Sequence, residues 1–244
     1  MLFFKKNKTI LKDLIPQGFK DIHSHLMFGI DDGAQTEEDS LFLIKSLIHF
    51  GFEDFTTTPH TFSGFWDNTS EKILAKEQEV KALLELNNIT NSFKTASEYL
   101  MDDHFVTLFQ NKDILTLKDN YVLVEMSYLN PPIQLYSIIF DLQVAGYKPV
   151  LAHPERYTFY HKNFDEYKKL KNQGCLFQLN LLSTVGYYGS DVQETAFKLL
   201  KSGMIDFVGS DVHHKKHIDA FDNKITLKDL TPLKEAIQNN SFFK

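Results

Sequence analysis

The sequence predicts an α/β fold in one domain, with a parallel, barrel-like sheet. Seven strand-like apolar runs recur along the 244 residues, and helix-like segments separate most of them. This alternation is typical of parallel sheets whose outer face is covered by helices. Barrels of this kind commonly use roughly 200–250 residues as a single domain. No repeat, low-complexity tract or Pro/Gly-rich linker divides the chain, so we expect no second domain.

The predicted elements follow one another in a regular order. The strand-like runs cover residues 19–22, 52–58, 92–96, 121–125, 149–152, 176–180 and 205–209. Helical patterns cover residues 37–50, 70–86, a stretch that begins near Pro131 or Pro132, 164–172 and 191–201. Thr36 has the position and the side chain of an N-cap for the first helix. Gly174 is placed to end the helix at 164–172.

Composition excludes several classes of protein. The net charge is −6, so we expect no nucleic-acid partner. Cys175 is the only cysteine, which excludes an intrachain disulfide and favours a reducing compartment. The amino terminus is too short in apolar residues for a signal peptide, and no uncharged apolar run is long enough to cross a bilayer. We therefore expect a cytoplasmic protein without an integral membrane segment.

Nine histidines and carboxylates stand at or just after the strand-like runs. In chain order they are His23, His25, Asp32, His60, Glu98, Glu125, His153, Asp211 and His213. The carboxyl ends of barrel strands meet at one rim, where the chemistry of such barrels takes place. Imidazole and carboxylate are the side chains that bind divalent cations. The placement predicts a polynuclear metal centre and hydrolytic chemistry.

Three of these motifs also have structural interpretations. In His23-x-His25 and Asp211-x-His213 both side chains lie on one side of an extended chain, because side chains alternate there. A polar pair on the surface has the same spacing, so neither pair is specific alone. Asp32 lies in the sequence Asp-Asp-Gly and is compatible with a simple turn. Both pairs following apolar runs in one chain favours the metal interpretation.

The remaining candidates differ in how strongly their surroundings favour a metal. Glu98 and Glu125 follow or close strands whose neighbouring residues we expect to be buried. A buried carboxylate is costly unless it is paired or bound to a cation. His60 and His153 each stand beside a proline and are also compatible with hydrogen-bonded structural histidines.

Charge counting favours metal ions over a site made of protein alone. The four candidate carboxylates bring four negative charges into one cavity, which would repel phosphate and raise carboxylate pKa values. Three divalent ions would bring six positive charges and leave a surplus that suits a phosphate group. The mixed nitrogen and oxygen ligands suit Mn, Fe, Zn or Mg and do not choose among them.

Arg156 is the sole arginine in a chain whose other 25 basic residues are lysines. Guanidinium grips phosphate oxygens through two parallel donors, which an ammonium group cannot do. Because Arg156 lies three positions after His153, we predict that it contacts phosphate. The alternative is a structural ion pair with Glu155 or another carboxylate.

These motifs together resemble the PHP superfamily (polymerase and histidinol phosphatase), and within it the tyrosine-protein phosphatases of bacterial capsule and exopolysaccharide operons, the CpsB/CapC family. The resemblance runs from about Phe19 to His213. It rests on Asp-Ile-His-Ser-His at 21–25, Gly-Ile-Asp-Asp-Gly at 29–33, Thr-Pro-His at 58–60, Glu-Tyr at 98–99, Glu125, Ala-His-Pro-Glu-Arg-Tyr at 152–157 and Ser-Asp-Val-His at 210–213.

The resemblance implies a fold, a cofactor and a site. The fold is a distorted (β/α)7 PHP-type barrel at residues 19–244, preceded by an N-terminal extension at 1–18. The cofactor is a set of three divalent metal ions, often Mn, held by the nine candidate ligands, with Arg156 as the catalytic, phosphate-contacting arginine. The family's second arginine after the last Asp-x-His pair is missing. Lys215, Lys216 and His217 are the candidates to bind substrate in its place.

The resemblance also implies the function. It is metal-dependent hydrolysis of phosphotyrosine on the tail of a bacterial tyrosine autokinase, which regulates capsular or exopolysaccharide synthesis. The enzyme would then work in the cytoplasm, at the inner face of the membrane through its kinase partner. The sequence does not decide between a monomer and a homo-oligomer. Alternatives are a phosphatase for a small molecule such as histidinol phosphate, a barrel amidohydrolase, and a non-catalytic phosphotyrosine-binding adaptor. Cys175 lacks the arginine six residues on that thiolate phosphatases use.

Overall fold

The computed structural model describes residues 9–244 of the chain. In this range the strands are β1 Phe19–Asp21, β2 Phe52–Thr57, β3 His60–Thr61, β4 Ser92–Thr95, β5 Glu98–Leu100, β6 Tyr121–Glu125, β7 Lys148–Ala152, β8 Leu176–Asn180 and β9 Phe207–Gly209. The α-helices are α1 Glu37–His49, α2 Ser70–Leu86, α3 Asp103–Gln110, α4 Leu135–Val144, α5 Asp165–Asn172, α6 Ser190–Lys201, α7 Lys215–Ala220 and α8 Thr231–Asn239.

All the paired strands run parallel. Two ladders are present, β1-β2-β4 and β3-β5-β6-β7-β8-β9. They are parts of one sheet, because β2 continues into β3 after Thr58 and Pro59, and β4 continues into β5. Across these breaks the amide of Ala96 donates to the Thr57 carbonyl (2.9 Å) and the amide of Glu98 donates to the Pro59 carbonyl (3.1 Å). The described chain therefore has seven strand positions, as predicted.

The barrel closes between its first and last strands without a regular ladder in the described residues. Beyond the strand ends, the Asp211 amide donates to the His23 carbonyl (2.8 Å) and the His25 amide donates to the Val212 carbonyl (2.9 Å). Further down, the Asn240 side-chain amide donates to the carbonyls of Lys20 (2.9 Å) and Val208 (2.8 Å). A side chain thus replaces strand pairing at this seam, which accounts for the distortion of the barrel.

Strand residues are buried on both faces of the sheet. Leu123 packs in a cluster with Ala96 and Val150, whereas its neighbours Val122 and Val124 pack in a second cluster with residues of α4. The alternation places Leu123 inside the barrel and its neighbours under the helices. Phe243 joins the inner cluster. This two-sided burial explains why the strands read as nearly continuous apolar runs.

The predicted strands each end within two residues of the observed ones. The predicted start of a helix near Pro131 or Pro132 is wrong, since α4 begins at Leu135. The helical conformation is disfavoured for a residue that precedes a proline, and a turn in which the Leu135 amide donates to the Pro132 carbonyl (3.1 Å) comes before the helix. Thr36 caps α1 as predicted, because its side chain accepts from the Asp39 amide (3.1 Å).

Three helices were not predicted. The first, α3, begins after Asp102, whose carboxylate accepts from the Phe105 amide (2.8 Å), and it buries Phe105 and Phe109. That cap and the four-residue apolar spacing are a helix signal that the prediction missed. The other two, α7 and α8, lie after the last strand, where no further strand gave reason to look for a helix.

Part of the predicted N-terminal extension belongs to the core. Leu11 and Ile15 are buried, and the Leu11 amide donates to the Asn223 carbonyl (3.0 Å). Residues 1–8 lie outside the described range, so the division at residue 18 stays a prediction. Within residues 9–244, none of the helices is both long and apolar enough to span a lipid bilayer.

Candidate metal centre

All nine predicted ligands come together at the carboxyl ends of the strands. His23 and His25 follow β1, and His60, Glu98 and Glu125 lie in β3, β5 and β6. The others follow the first, seventh and ninth strands; they are Asp32, His153, Asp211 and His213. Because all strands of the barrel are parallel, their carboxyl ends lie at the same end of the barrel. This arrangement brings together residues that are far apart in sequence.

The nine side chains form four overlapping groups in which one ligand atom per residue lies within 4.8 Å of the others. The groups are His25–Asp32–His60–His213, His23–Glu98–His153, His23–His25–Asp211 and His60–Glu98–Glu125. We call His23, Glu98, His153 and Asp211 the floor, because they are buried. We call Asp32, His60 and His213 the rim, because their side chains are partly exposed.

Hydrogen bonds fix the ring orientation of the two histidines after β1. His23 Nδ1 donates to Gln178 Oε1 (2.6 Å), and His25 Nδ1 donates to Asp31 Oδ2 (2.7 Å). With Nδ1 protonated, each Nε2 carries a lone pair. These two Nε2 atoms face each other at 3.4 Å. Glu98 Oε2 lies 3.2 Å from His23 Nε2 and 3.4 Å from His25 Nε2. Two imidazole nitrogens and a carboxylate oxygen thus surround one space, and this donor set fits a shared metal ion.

Among the described carboxylates of the centre, Glu98 contacts the largest number of imidazoles, those of His23, His25, His60 and His153. Its oxygens lie 3.2 Å from His23 Nε2, 3.3 Å from His60 Nδ1 and 2.9 Å from His153 Nε2. Burial alone would raise the pKa of Glu98, but the surrounding imidazoles hold this pKa well below its ordinary value. In turn Glu98 and Asp211 raise the pKa of His23, although burial opposes the shift. The floor therefore stabilises positive charge.

Two buried ring nitrogens support the same interpretation. His60 Nδ1 and His153 Nδ1 have no hydrogen-bond partner among the described residues. His60 Nδ1 nevertheless lies 2.9 Å from Glu125 Oε1. The imidazole and the carboxylate thus point at a common space without forming a good hydrogen bond, as ligands of one ion do.

The backbone is strained where the floor is built. His153 has φ 35° and Asp211 has φ 49°, in the left-handed region that non-glycine residues seldom adopt. Close packing adds a requirement at Gly209, where a Cβ would lie 2.6 Å from His23 Cβ. Such local cost persists only where the surrounding structure holds it, and it is common at functional sites.

Asp31 supports the centre without being one of the predicted ligands. Its carboxylate accepts from His25, from the Gly33 amide (2.9 Å) and from the His60 amide (3.1 Å). Burial opposes ionisation, but the His25 contact lowers the pKa of Asp31 to about 2. In the Asp-Asp-Gly turn, Asp31 therefore orients the His25 ring, and Asp32 is left to take part in the rim.

Arg156 lies in a cavity of about 210 Å³ over the centre. Its Nη1 donates to Asp211 Oδ2 (2.8 Å), so it pairs with a carboxylate other than Glu155. Its Cζ stands 4.7 Å from the ring of Tyr128 and 4.2 Å from the ring of Tyr188. The two rings hold the guanidinium between them and leave its remaining donors for the cavity. Its predicted contact with phosphate stays a prediction.

The three residues predicted to replace a second arginine lie in different surroundings. His217 lines the cavity, and its Nδ1 accepts from the His213 amide (3.1 Å). Burial lowers the pKa of His217 to about 3, so it is neutral at physiological pH. Lys215 is exposed, pairs with Asp219 (2.6 Å) and does not line this cavity, and neither does Lys216. Their role in substrate binding stays a prediction.

Several residues of the site escaped the sequence prediction. Tyr128 and Tyr188 line the cavity. Asn180 ends β8 and donates to Asp211 Oδ2 (2.7 Å). Its place at a strand end was a usable signal, because β8 was the one strand followed by no candidate ligand. Glu155 ties the loops after β7 and β8 together, accepting from the Asn180 amide (3.0 Å) and from Ser183 Oγ (2.7 Å).

The chain is thus a parallel barrel whose strand ends carry a histidine and carboxylate centre with one arginine over it. Comparison with known families shows which family has this combination. The family model described as "Capsular polysaccharide synthesis, CpsB/CapC" matches residues 19–220. The chain belongs to this family, as the sequence motifs predicted.

Named relatives agree with this assignment. The chain is 28% identical to the putative tyrosine-protein phosphatase CapC of Staphylococcus aureus, covering 79% of this chain and 76% of the relative. It is 27% identical to the tyrosine-protein phosphatase YwqE of Bacillus subtilis, covering 80% and 78%. It is also 27% identical to the tyrosine-protein phosphatase CpsB of Streptococcus pneumoniae, covering 80% and 82%.

A solved structure confirms the predicted fold class. It is one of the crystal structures of YwqE from Bacillus subtilis and CpsB from Streptococcus pneumoniae, which are described as unique metal-dependent tyrosine phosphatases. It superposes with a TM-score of 0.81 at 25% sequence identity and covers 92% of this chain and 93% of the other.

Proposed function

We propose that this chain is a metal-dependent protein-tyrosine phosphatase. The observation that carries the proposal is the pair of Nε2 atoms of His23 and His25, which face each other over buried carboxylates below an arginine-lined cavity. A site of this kind attracts cations first and, once they are bound, an anionic group. The names of the relatives and of the matched structure support phosphotyrosine as that group.

The nine ligands fit three divalent ions, and we propose Mn as the physiological metal, with Fe, Zn or Mg as the other candidates. The four groups of donors overlap, and Glu98 belongs to two of them. With two oxygens, this carboxylate could serve more than one ion, whereas each neutral imidazole would offer one lone pair. Bound divalent ions supply charge neutralisation for a phosphate group and an activated water as nucleophile.

The chain's own residues orient the phosphate. Asp211 engages one guanidinium nitrogen of Arg156, and the rings of Tyr128 and Tyr188 restrict its rotation. Arginine keeps further N–H donors in the same plane, so a phosphate oxygen in the cavity meets a fixed donor pair. The leaving tyrosinate has a parent pKa of about 10, so it departs with little help from an acid.

We propose that the substrate is the phosphotyrosine tail of a bacterial tyrosine autokinase and that the enzyme acts in the cytoplasm, at the membrane face where such a kinase would hold it. The family description, capsular polysaccharide synthesis, supports a role in capsule or exopolysaccharide production.

The test compares substrates on one purified preparation loaded with Mn. We expect rapid hydrolysis of a phosphotyrosyl peptide, slow hydrolysis of the phosphoseryl peptide of the same sequence, and loss of activity with a chelator. Thiol alkylation should have no effect, because Cys175 is buried. Faster turnover of histidinol phosphate would favour the small-molecule alternative. Peptide binding without turnover would favour the adaptor.

Arg156→Lys tests the assigned phosphate contact. The ammonium cannot reproduce the planar pair of donors. We expect turnover to fall by about 10²- to 10³-fold, with the metal content unchanged by elemental analysis. Unaltered kinetics would remove Arg156 from the mechanism.

A further inference from the structure

A second concave surface lies beside the catalytic cavity and has a different chemistry. We call it the flanking groove, and it measures about 940 Å³. Its principal side chains are Pro131, Pro132, Ile133, Tyr136, Phe159 and Tyr160. Within the described part of the chain, Glu166 is the one charged residue that lines it. The groove is therefore built for apolar groups, in contrast to the cavity over the metal centre.

The flanking groove opens on the same face of the barrel as the metal centre. One wall comes from the segment between β6 and α4, and the other from the segment between β7 and α5. Both segments follow the carboxyl ends of their strands, as the predicted ligands do. A molecule bound with its phosphate over the centre can therefore reach the groove without crossing the barrel.

A row of aromatic rings joins the two sites. Tyr128 lines the catalytic cavity and its ring centroid lies 5.9 Å from that of Tyr157. Tyr157 stacks on Phe159 at 5.6 Å, and Phe159 lines the groove. The rings of Tyr128 and Phe159 are thus at most about 12 Å apart, a length that three or four residues of an extended chain span.

Two exposed apolar side chains belong to the segment that forms one wall of the groove. Ile133 lines the groove and is fully exposed (104%), and Leu129, which directly precedes the lining residue Asn130, is 82% exposed. Two such side chains beside an apolar groove indicate a binding surface. The groove is also preformed, because the Tyr136 hydroxyl donates to Glu166 (2.7 Å) and Lys169 Nζ stands 4.0 Å from the Tyr136 ring.

We propose that the flanking groove binds apolar side chains of the substrate polypeptide, three or four residues from the phosphotyrosine. This inference rests on the proposed phosphatase function and adds a selectivity to it. Glu166 is paired with Lys169 (3.9 Å) and accepts from the Tyr136 hydroxyl (2.7 Å). The apolar lining therefore decides the occupant, and an uncharged, apolar flank is the complementary one. Ile133 and Leu129 would pack on it and lose their exposure to water.

The experiment measures kcat/KM for two phosphotyrosyl peptides of equal length. One carries Leu and Phe at the third and fourth positions on each side of the phosphotyrosine, and the other carries Ser and Gly there. The wild-type chain should prefer the apolar peptide by about tenfold, since burying one or two such side chains in part contributes about that factor. In the double variant Leu129→Ser/Ile133→Ser the two peptides should be hydrolysed about equally well.

Leu86→Ser is the matched control. Leu86 is 83% exposed but lies at the end of α2 that leads into β4, at the opposite end of the barrel from the metal centre. It should keep the wild-type preference. Thermal unfolding of all variants checks that each one folds.

The possible results separate the two proposals. Hydrolysis of both peptides with no preference would overturn the groove and leave the phosphatase function standing. Hydrolysis of neither peptide by the Mn-loaded wild type would reject the function and the groove with it. If the double variant instead converts a dimer to a monomer in sedimentation and keeps the peptide preference, the surface binds a second copy of the chain and the proposal is wrong.

Discussion

The side chains of His23, Glu98 and Asp211, on the floor of the candidate metal centre, are at most 1% exposed, whereas Asp32 at the rim is 52% exposed. Floor residues also have fixed neighbours. Gln178 orients His23, and Asn180 and Arg156 both donate to Asp211. Among residues 9–244, the partners within ion-pair distance of the Asp32 carboxylate are His60 and His213, at 3.5 and 3.6 Å.

The difference between floor and rim predicts which side chains contribute most to the free energy of metal binding. A charge inside the protein interacts strongly with its neighbours because little water screens it. A charge at the mouth is screened and is readily replaced by a water ligand. We therefore expect floor substitutions to abolish metal binding and rim substitutions to weaken it.

Glu98→Gln should have the largest effect. The change removes a negative charge, and with it a carboxylate ligand, from among four imidazoles, so less charge is left to offset that of the cations. We expect metal content to fall below one ion per chain and kcat/KM to fall by about 10³-fold or more. Elemental analysis and phosphotyrosyl-peptide kinetics measure these. The control is Glu85→Gln, on the exposed surface of α2, which should behave as wild type; normal metal content in Glu98→Gln would contradict the floor's role.

Gln178→Leu should have the second-largest effect, although Gln178 is not a predicted ligand. It removes the acceptor that fixes the His23 ring, and loss of such a partner typically costs about 10- to 100-fold in metal affinity. Titration with Mn measures the affinity, and the exposed Gln110→Leu serves as the comparison. Equal affinities for the two variants would show that the ring orientation of His23 does not matter.

Asp32→Asn should have a smaller effect than either. Its amide oxygen can still act as a ligand, and water reaches the site from the open side. We expect a loss of about tenfold or less in metal affinity, confined to the most weakly bound ion. Competition with a chelator of known affinity measures it. A loss as large as that of Glu98→Gln would erase the distinction between floor and rim.

Lys20, in β1, provides a comparison outside the centre and should change metal content least. Burial lowers the pKa of Lys20 to about 8, whereas an unfolded lysine titrates near 10.4. Between these values the unfolded chain holds one more proton, so the free energy of unfolding rises with pH, by up to about 1.4 kcal/mol per unit. Groups whose folded pKa is raised, such as Cys175 (to about 12), contribute a slope of opposite sign. The difference in slope between wild type and Lys20→Met, measured by denaturant unfolding from pH 8 to 10, therefore isolates the contribution of Lys20. The slope should be more positive in the wild type, and equal slopes would rule out the shift.

The sequence was informative where function depends on strand ends. His23, Glu98 and Asp211 were predicted because a polar residue after an apolar run stands out in any parallel barrel. Tyr128 and Tyr188 were not, because their contact with Arg156 depends on how the loops fold. Lys215 shows the same limit from the other side: it follows the last ligand closely, but α7 directs it to Asp219.

Crystals grown with manganese and measured at its absorption edge would show whether the nine side chains bind a cluster of metal ions. We predict three anomalous peaks within one cavity, one of them between His23 Nε2 and His25 Nε2, and each in contact with at least three of the nine side chains. An empty cavity at saturating manganese, or peaks only at surface carboxylates, would show that these side chains do not form a metal centre.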